Sequence, residues 1–366
     1  MPTRTTLATV ARHAGVSTGT ASKVLNGRAG VGEETRQRVQ AAVVELGYHP
    51  TTARADDVAT RVRRVSAIFT SVEEAMYVPQ ILNALLASAP AHQIEIIPRL
   101  VDQPASYKEV NAWARSLLRG GCQGIISVAA MMSPDQVEQS CRLGLAFVMI
   151  DGFTFPDVQN VVSVGSNNFE GGFLAGQHLL ELSHQSIGII NGPHTAGFAR
   201  ERSYGFQAAL SEAGVEIPAE LSIQAPFEYE GGLEAGQRML ARPDRPTAIF
   251  ANSDGCAIGV MEAARRLGVR VPADLSVIGF DDSKLAVWST PQLTTIRQPI
   301  TNIARVALRT ISRLLEGRSP DSHHIQLATR LVVRGSTAAP PRERQRDKDH
   351  VRGDHASMYC STRASH

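Results

Sequence analysis

From Val65 to about residue 280 the chain repeats one pattern: a short β-branched run, a loop, a helical stretch, then another run. Strands separated by helices cannot pair as hairpins, so neighbours run parallel and the helices cover both faces of the sheet. The expected strands are 65–69, 94–100, 124–128, 146–150, 161–164, 186–190, 247–251 and 276–279. Helical spacing is predicted over 77–89, 106–119, 170–182, 199–213, 231–241 and 257–267. This α/β region of about 270 residues exceeds what one core usually holds, so two lobes sharing a cleft are expected, with the boundary near Val164. Open parallel sheets bind ligands beyond the carboxyl ends of their strands. That rule directs attention to Ser127, Asp151, residues 191–193, Ser253–Asp254 and Asp281–Asp282.

Residues 6–47 follow a different rule. Three short helices are expected: one capped by Thr6 and ending at Gly15, one capped by Ser17 and running from Thr18 to Asn26, and one from Glu33 to Leu46. Apolar residues recur at helical spacing in each, and the tight turn between the first two makes a helix-turn-helix unit. Charge is segregated in step with this division: residues 1–64 carry ten Lys and Arg against five Asp and Glu, whereas residues 65–339 carry 21 against 26. A basic head on an acidic body suggests that the head meets a polyanion. Thr18, Gly19, Thr20, Ser22 and Lys23, at the start of the second helix, are short or cationic groups suited to the edges of a major groove.

Several classes are excluded. No run approaches the roughly 18 apolar residues of a spanning helix, and Met1–Leu7 lacks the apolar core of a secretory signal. Cys122, Cys141, Cys256 and Cys360 lie far apart without a Cys-x-x-Cys, as expected for reduced thiols in the cytoplasm and not for disulfides or a zinc site. Gly15–Gly19 spells Gly-x-Ser-x-Gly, but a helix precedes it where a nucleophile elbow needs a buried strand. Asp281–Asp282 has no partner acid identifiable from sequence. His323–His324 lack ligand spacing and are expected to be solvated. No catalytic, metal or cofactor motif remains, so an enzyme is not expected.

The run LATVARHAGVSTGTASKVLNG at Leu7–Gly27, with ETR at 34–36 and LGYHP at 46–50, closely resembles the amino-terminal signature of LacI/GalR-type bacterial repressors. The resemblance continues through NGP at 191–193, ARER at 199–202, VIGFDD at 277–282, TPQLTTIRQP at 290–299 and LVVR at 331–334. It implies a periplasmic-binding-protein-like core of two lobes behind the helix-turn-helix head. It also implies a homodimer that binds a palindromic DNA operator and changes affinity with a small-molecule effector. Thr18, Gly19 and Lys23 fall where such proteins read bases. Thr20, Ser22 and Asn26 fall where they contact phosphate or brace the helix, and the caps Thr6 and Ser17 belong with this set. Lys23 replaces the family's usual Arg, a mobile point charge in place of a planar fork. The leucine with which relatives wedge the operator's minor groove is replaced by Asp56 or Asp57; either Val58 takes its place or the operator is bent less.

In the core the resemblance assigns effector contacts to Ser127, Asp151, Arg202, Phe227, Ser253, Asp281 and Gln298, with Tyr77 at the cleft mouth and Asp254 beside it. Polar groups converging on an aromatic face suggest a sugar or sugar derivative. The expected organisation is a DNA-binding domain over 1–50, a hinge over 51–64, an effector-binding core over 65–338 and a disordered tail over 339–366. The lobes would be 65–163 with 292–325, and 164–291 with 326–338. The function read from this is a cytoplasmic, nucleoid-associated repressor of sugar-related genes, effector-released or corepressor-dependent. The competing reading, a sugar-binding protein without DNA regulation, is disfavoured by the basic head.

Overall fold

The computed structural model describes residues 6–25, 30–46, 62–69, 76–100, 107–130, 132–152 and 161–341. The chain forms two compact units, residues 1–61 and 62–366.

In the first unit, α1 (Leu7–His13), α2 (Thr18–Leu25) and α3 (Glu33–Glu45) form as the caps predict. Thr6 Oγ1 accepts from the Thr9 amide at 3.3 Å, and Ser17 Oγ accepts from the Thr20 amide at 3.1 Å. Each bond satisfies one of the amide donors that a helix start leaves unpaired. Gly15 takes a φ of 64° in the turn, where an L side chain would be strained. Val10, Ala11, Ala21, Val24, Val39 and Ala42 build a small core, and His13 Nε2 meets Glu45 Oε2 at 3.0 Å to tie α1 to α3.

The second unit contains two six-stranded sheets. The first runs in the order β2 (Ile94–Leu100), β1 (Arg63–Phe69), β3 (Gly124–Val128), β4 (Ala146–Ile150), β5 (Val161–Ser166) and β11 (His324–Leu327), all parallel. One face packs on α4 (Tyr77–Ser88) and α12 (Ile300–Leu315), the other on α5 (Tyr107–Arg119) and α6 (Pro134–Arg142). The second runs β7 (Ser222–Gln224), β6 (Ile187–Asn191), β8 (Ala248–Ala251), β9 (Ser276–Asp281), β10 (Thr294–Arg297) and β12 (Arg330–Val332), with β12 alone antiparallel. Its faces are covered by α7 (Asn168–Glu181) with α8 (Gly197–Glu212), and by α9 (Tyr229–Leu240) with α10 (Asp254–Arg266). A short α11 (Lys284–Trp288) follows β9. The fully buried runs of β3 and β9 match the continuous apolar patterning of parallel strands covered on both faces.

Four boundaries differ from the sequence reading, two of them because the expected lobe breaks after residues 163 and 325 cut β5 and β11, both strands of the first sheet. The return to the first sheet was expected at residue 292, but Thr294–Arg297 pairs with Ile278–Asp281, so the chain crosses after Arg297. The apolar face of α12 (Ile303, Ala307, Leu308 and Ile311) then enters the first core. Arg63 and Arg64, expected in the hinge, already belong to β1, opposite Ile94 and Glu95; Arg64 pairs with Glu95 at 2.8 Å. The remaining hinge residues 51–61 and the tail beyond Pro341 lie outside the described residues.

Candidate functional site

On α2, Ala21 and Val24 turn inward while Thr18, Gly19 and Lys23 are exposed and Thr20 and Ser22 half-buried. Gly19 and Lys23 are one helical turn apart and therefore share a face. Ser17 Oγ also meets Thr20 Oγ1 at 2.9 Å, so Thr20 braces the cap. Asn26, the remaining DNA-binding expectation, lies outside the described residues.

In the core, side chains from both sheets meet at the carboxyl ends of the strands. Asp151 follows β4, Asn168 follows β5, Asn252 follows β8 and Asp281 ends β9. Asp151, Asp281 and Asp282 all have left-handed backbone, with φ of 45°, 117° and 55°. Such strain persists where surrounding structure holds it, commonly at binding sites. Arg202, on α8 and 4% exposed, is the hub. Its Nε donates to Asn168 Oδ1 at 2.9 Å, and its Nη1 donates to the Asn252 carbonyl at 2.8 Å and lies 3.7 Å from Asp281 Oδ1. Its guanidinium lies 3.8 Å from the Phe280 ring centroid and 5.3 Å from that of Phe198. Phe198 in turn stacks on Phe227 at 5.6 Å.

Gln298, on the crossover, links the sheets: its Nε2 donates to Asp281 Oδ1 at 2.6 Å and its Oε1 accepts from Ser166 Oγ at 2.7 Å. The Tyr77 hydroxyl donates to Asp151 Oδ2. Burial pushes the Tyr77 hydroxyl well above its ordinary value, and the Asp151 charge beside it adds to the effect. Burial also raises Asp151, against the opposing pull of Tyr77 and Arg202, and raises Asp281 to about 6.

The expected effector residues therefore divide. Tyr77, Asp151, Arg202, Asp281 and Gln298 are joined in one buried network, and Phe227 reaches it through Phe198. Ser253 and Asp254 are engaged elsewhere. Ser253 Oγ caps α10 by accepting from the Cys256 amide at 3.0 Å and donates to the Phe227 carbonyl at 2.5 Å. Asp254 accepts from the Ser283 amide at 2.6 Å and Thr295 Oγ1 at 2.5 Å, holding the start of α10 against β9 and β10. Burial and the nearby Asp281 charge raise Asp254 to about 8. Ser127 is 1% exposed near the end of β3, and its hydroxyl has no partner among the described residues.

Sequence reasoning passed over Ser166, Asn168, Phe198 and Glu201. The first two stand at the end of β5, where the rule about strand ends applies equally. Phe198 and Glu201 lie on α8 and become cleft residues only through the fold. A cleft lined by Asp151, Asn168, Phe198 and Glu201 holds ≈ 370 Å³ of space open to solvent. Among the described residues no group of three or more His, Cys, Asp or Glu could hold a metal ion, and no helix is long and apolar enough to cross a membrane. His323 and His324, expected to be solvated, are exposed but tethered: His323 Nδ1 meets the Val161 carbonyl at 3.1 Å and His324 Nδ1 meets Ser163 Oγ at 2.6 Å.

Residues 6–51 match the lacI family of bacterial regulatory proteins, and residues 177–337 match the periplasmic binding protein-like domain. The HTH-type transcriptional repressor PurR of Pectobacterium carotovorum subsp. carotovorum (strain PC1) is 33% identical over 338 residues, 92% of this chain and 98% of the relative. The chain belongs to the LacI family. PurR of Proteus mirabilis (strain HI4320) is 32% identical over 339 residues, 92% of this chain and 98% of the relative. Two solved structures share the LacI-family architecture over nearly the whole chain. The Lac repressor dimer bound to operator and the anti-inducer ONPF has 26% identity and a TM-score of 0.74, covering 92% of this chain and 100% of that one. The complex of the transcriptional regulator CelR with cellobiose has 27% identity and a TM-score of 0.68, covering 91% and 100%. These LacI-family relatives are regulators of transcription, not enzymes.

Proposed function

We propose that this LacI-family chain is a ligand-responsive transcriptional repressor, working as a cytoplasmic homodimer on a palindromic operator. Its DNA-reading residues would be Thr18, Gly19, Thr20, Ser22 and Lys23 with the caps Thr6 and Ser17, and its effector would lie between the two core lobes. The observation that carries this reading is the Arg202 network. Groups from both sheets are held together there by a few hydrogen bonds through Gln298 and Asp281, so a guest that replaces those bonds alters how the lobes meet. Tyr77, Asp151, Arg202, Phe227, Asp281 and Gln298 would face or frame that guest. Ser127, whose buried hydroxyl has no partner among the described residues, joins them, and Ser253 and Asp254 would support them from behind. An effector acts only through a difference in affinity between the two lobe arrangements. Two heads on one dimer would engage half-sites about one helical turn apart.

Selection of genomic fragments by the purified full chain tests this. Enrichment of one palindromic sequence is the expected result, and a featureless pool at low salt refutes it. Retention of that fragment should change with an effector, and the effector's presence should raise the thermal stability of the core.

A further inference from the structure

We infer that the guest of this cleft is a hydroxyl-rich molecule bearing a protonated amine, with the amine held by Asp151 and Glu201. The inference rests on the regulator reading for the place of the effector and adds its chemical class.

Three carboxylates, those of Asp151, Glu201 and Asp281, act electrostatically with Arg202, the buried guanidinium they share; Asp254, raised to about 8 by burial and the Asp281 charge, stays protonated near neutral pH and adds nothing to their charge. Asp282 does not add to the surplus, because Arg297 and Arg334 neutralise it. Asp151 and Glu201 line the same cleft wall from opposite lobes, Asp151 after β4 and Glu201 on α8. Burial raises both, and each is raised or restrained by the charges around it; for Glu201 the Asp151 charge is the next cause after burial. His324 faces Glu201 from the exposed rim and is already bonded to Ser163.

The buried guanidinium is already committed to neighbours within the core. The Nε and Nη1 donors of Arg202 are directed at Asn168, Asn252 and Asp281, so an acidic guest would meet a cation already engaged and several carboxylates that repel it. An ammonium brings three donors, no acceptor and the missing charge. The Phe198–Phe227 stack provides an apolar face for the carbon skeleton of the same molecule.

Calorimetric titration of the full chain with matched sets tests the class: glucose, glucosamine and N-acetylglucosamine, then the galactose and mannose counterparts. Charge-assisted hydrogen bonds are about twice as strong as neutral ones, so in at least one set the amine should bind about tenfold or more tighter than its neutral partners. Glu201→Gln should abolish that preference while leaving the fold, followed by circular dichroism, unchanged. Neutral members binding as tightly as the amines, no binding in any set, or a preference that survives Glu201→Gln would each overturn the inference. Fragment selection with the same preparation separates the two claims. Amine binding without palindrome enrichment would refute the repressor, whereas palindrome enrichment without amine preference would refute only the ligand class.

Discussion

Lys23 is exposed on the face of α2 that carries Gly19, opposite the buried Ala21 and Val24. Its position is fixed by helix geometry, but its chemistry departs from the family's usual arginine. An ammonium donates to guanine O6 and N7 without the planar fork that fixes both bonds at once. In the proposed role, Lys23→Ala should weaken binding to the selected operator by about 1–3 kcal/mol at fixed salt and relax the preference at one base pair per half-site. Competition binding against single-base operator variants measures both, and an unchanged affinity with an unchanged base preference would remove Lys23 from the reading set. The head was legible at this scale because its caps act locally. Thr6 and Ser17 bond amides three residues ahead, and such contacts are written in adjacent letters of the sequence.

At the scale of elements, the cleft depends on how closely α7 and α8 approach. A Cβ added at Gly172 would lie 1.9 Å from the Arg202 carbonyl oxygen, and one at Gly205 would lie 1.9 Å from the Phe169 carbonyl oxygen. The two glycines let the backbones touch where Asn168 starts one helix and Arg202 sits on the other, which is how Arg202 Nε reaches Asn168 Oδ1. Gly172→Ala should therefore cost about 1–3 kcal/mol of core stability, because neither carbonyl is a flexible side-chain end that can move aside. Urea unfolding followed by far-ultraviolet dichroism would show this as a lower midpoint, and an unmoved midpoint would mean that the helices tolerate separation. The long buried strands and six of the core's helices were legible from periodicity, whereas α6 and the amphipathic α12 were passed over. The short β7, β10, β11 and β12, of three or four residues each, were not. They are too brief and too polar for a period to register, and tertiary pairing defines them. The misplaced crossover at residue 292 follows from missing β10.

The whole molecule gathers acids that are far apart in sequence into one buried network, and no local pattern announces it. Asp151, Asp281 and the Arg202 motif were legible through the strand-end rule and the family resemblance, whereas the surplus of charge appears only when the lobes face each other. It has a consequence for stability. Burial holds Asp254 at about 8 and Asp281 at about 6, against an ordinary 3.8, so the folded core binds protons that the unfolded chain releases. Stability from these groups is fully present below about pH 4 and is lost as pH rises through the folded values. Buried histidines act oppositely at the acidic end: His184, lowered to about 4 by burial, and His178, also lowered, favour folding as pH rises toward 6.5. The two effects oppose each other between about pH 4 and 6.5, and above that the carboxylates remain. The core's unfolding temperature should accordingly fall between about pH 6.5 and 8, by at most about 1.4 kcal/mol of stability per pH unit for one proton. Asp281→Asn removes the second cause of the Asp254 shift and keeps an acceptor for Gln298, so it should flatten that decline. Thermal unfolding at half-unit pH steps decides the matter: a transition that holds steady or rises across this window in the parent chain would show that the buried acids are compensated by groups outside this network.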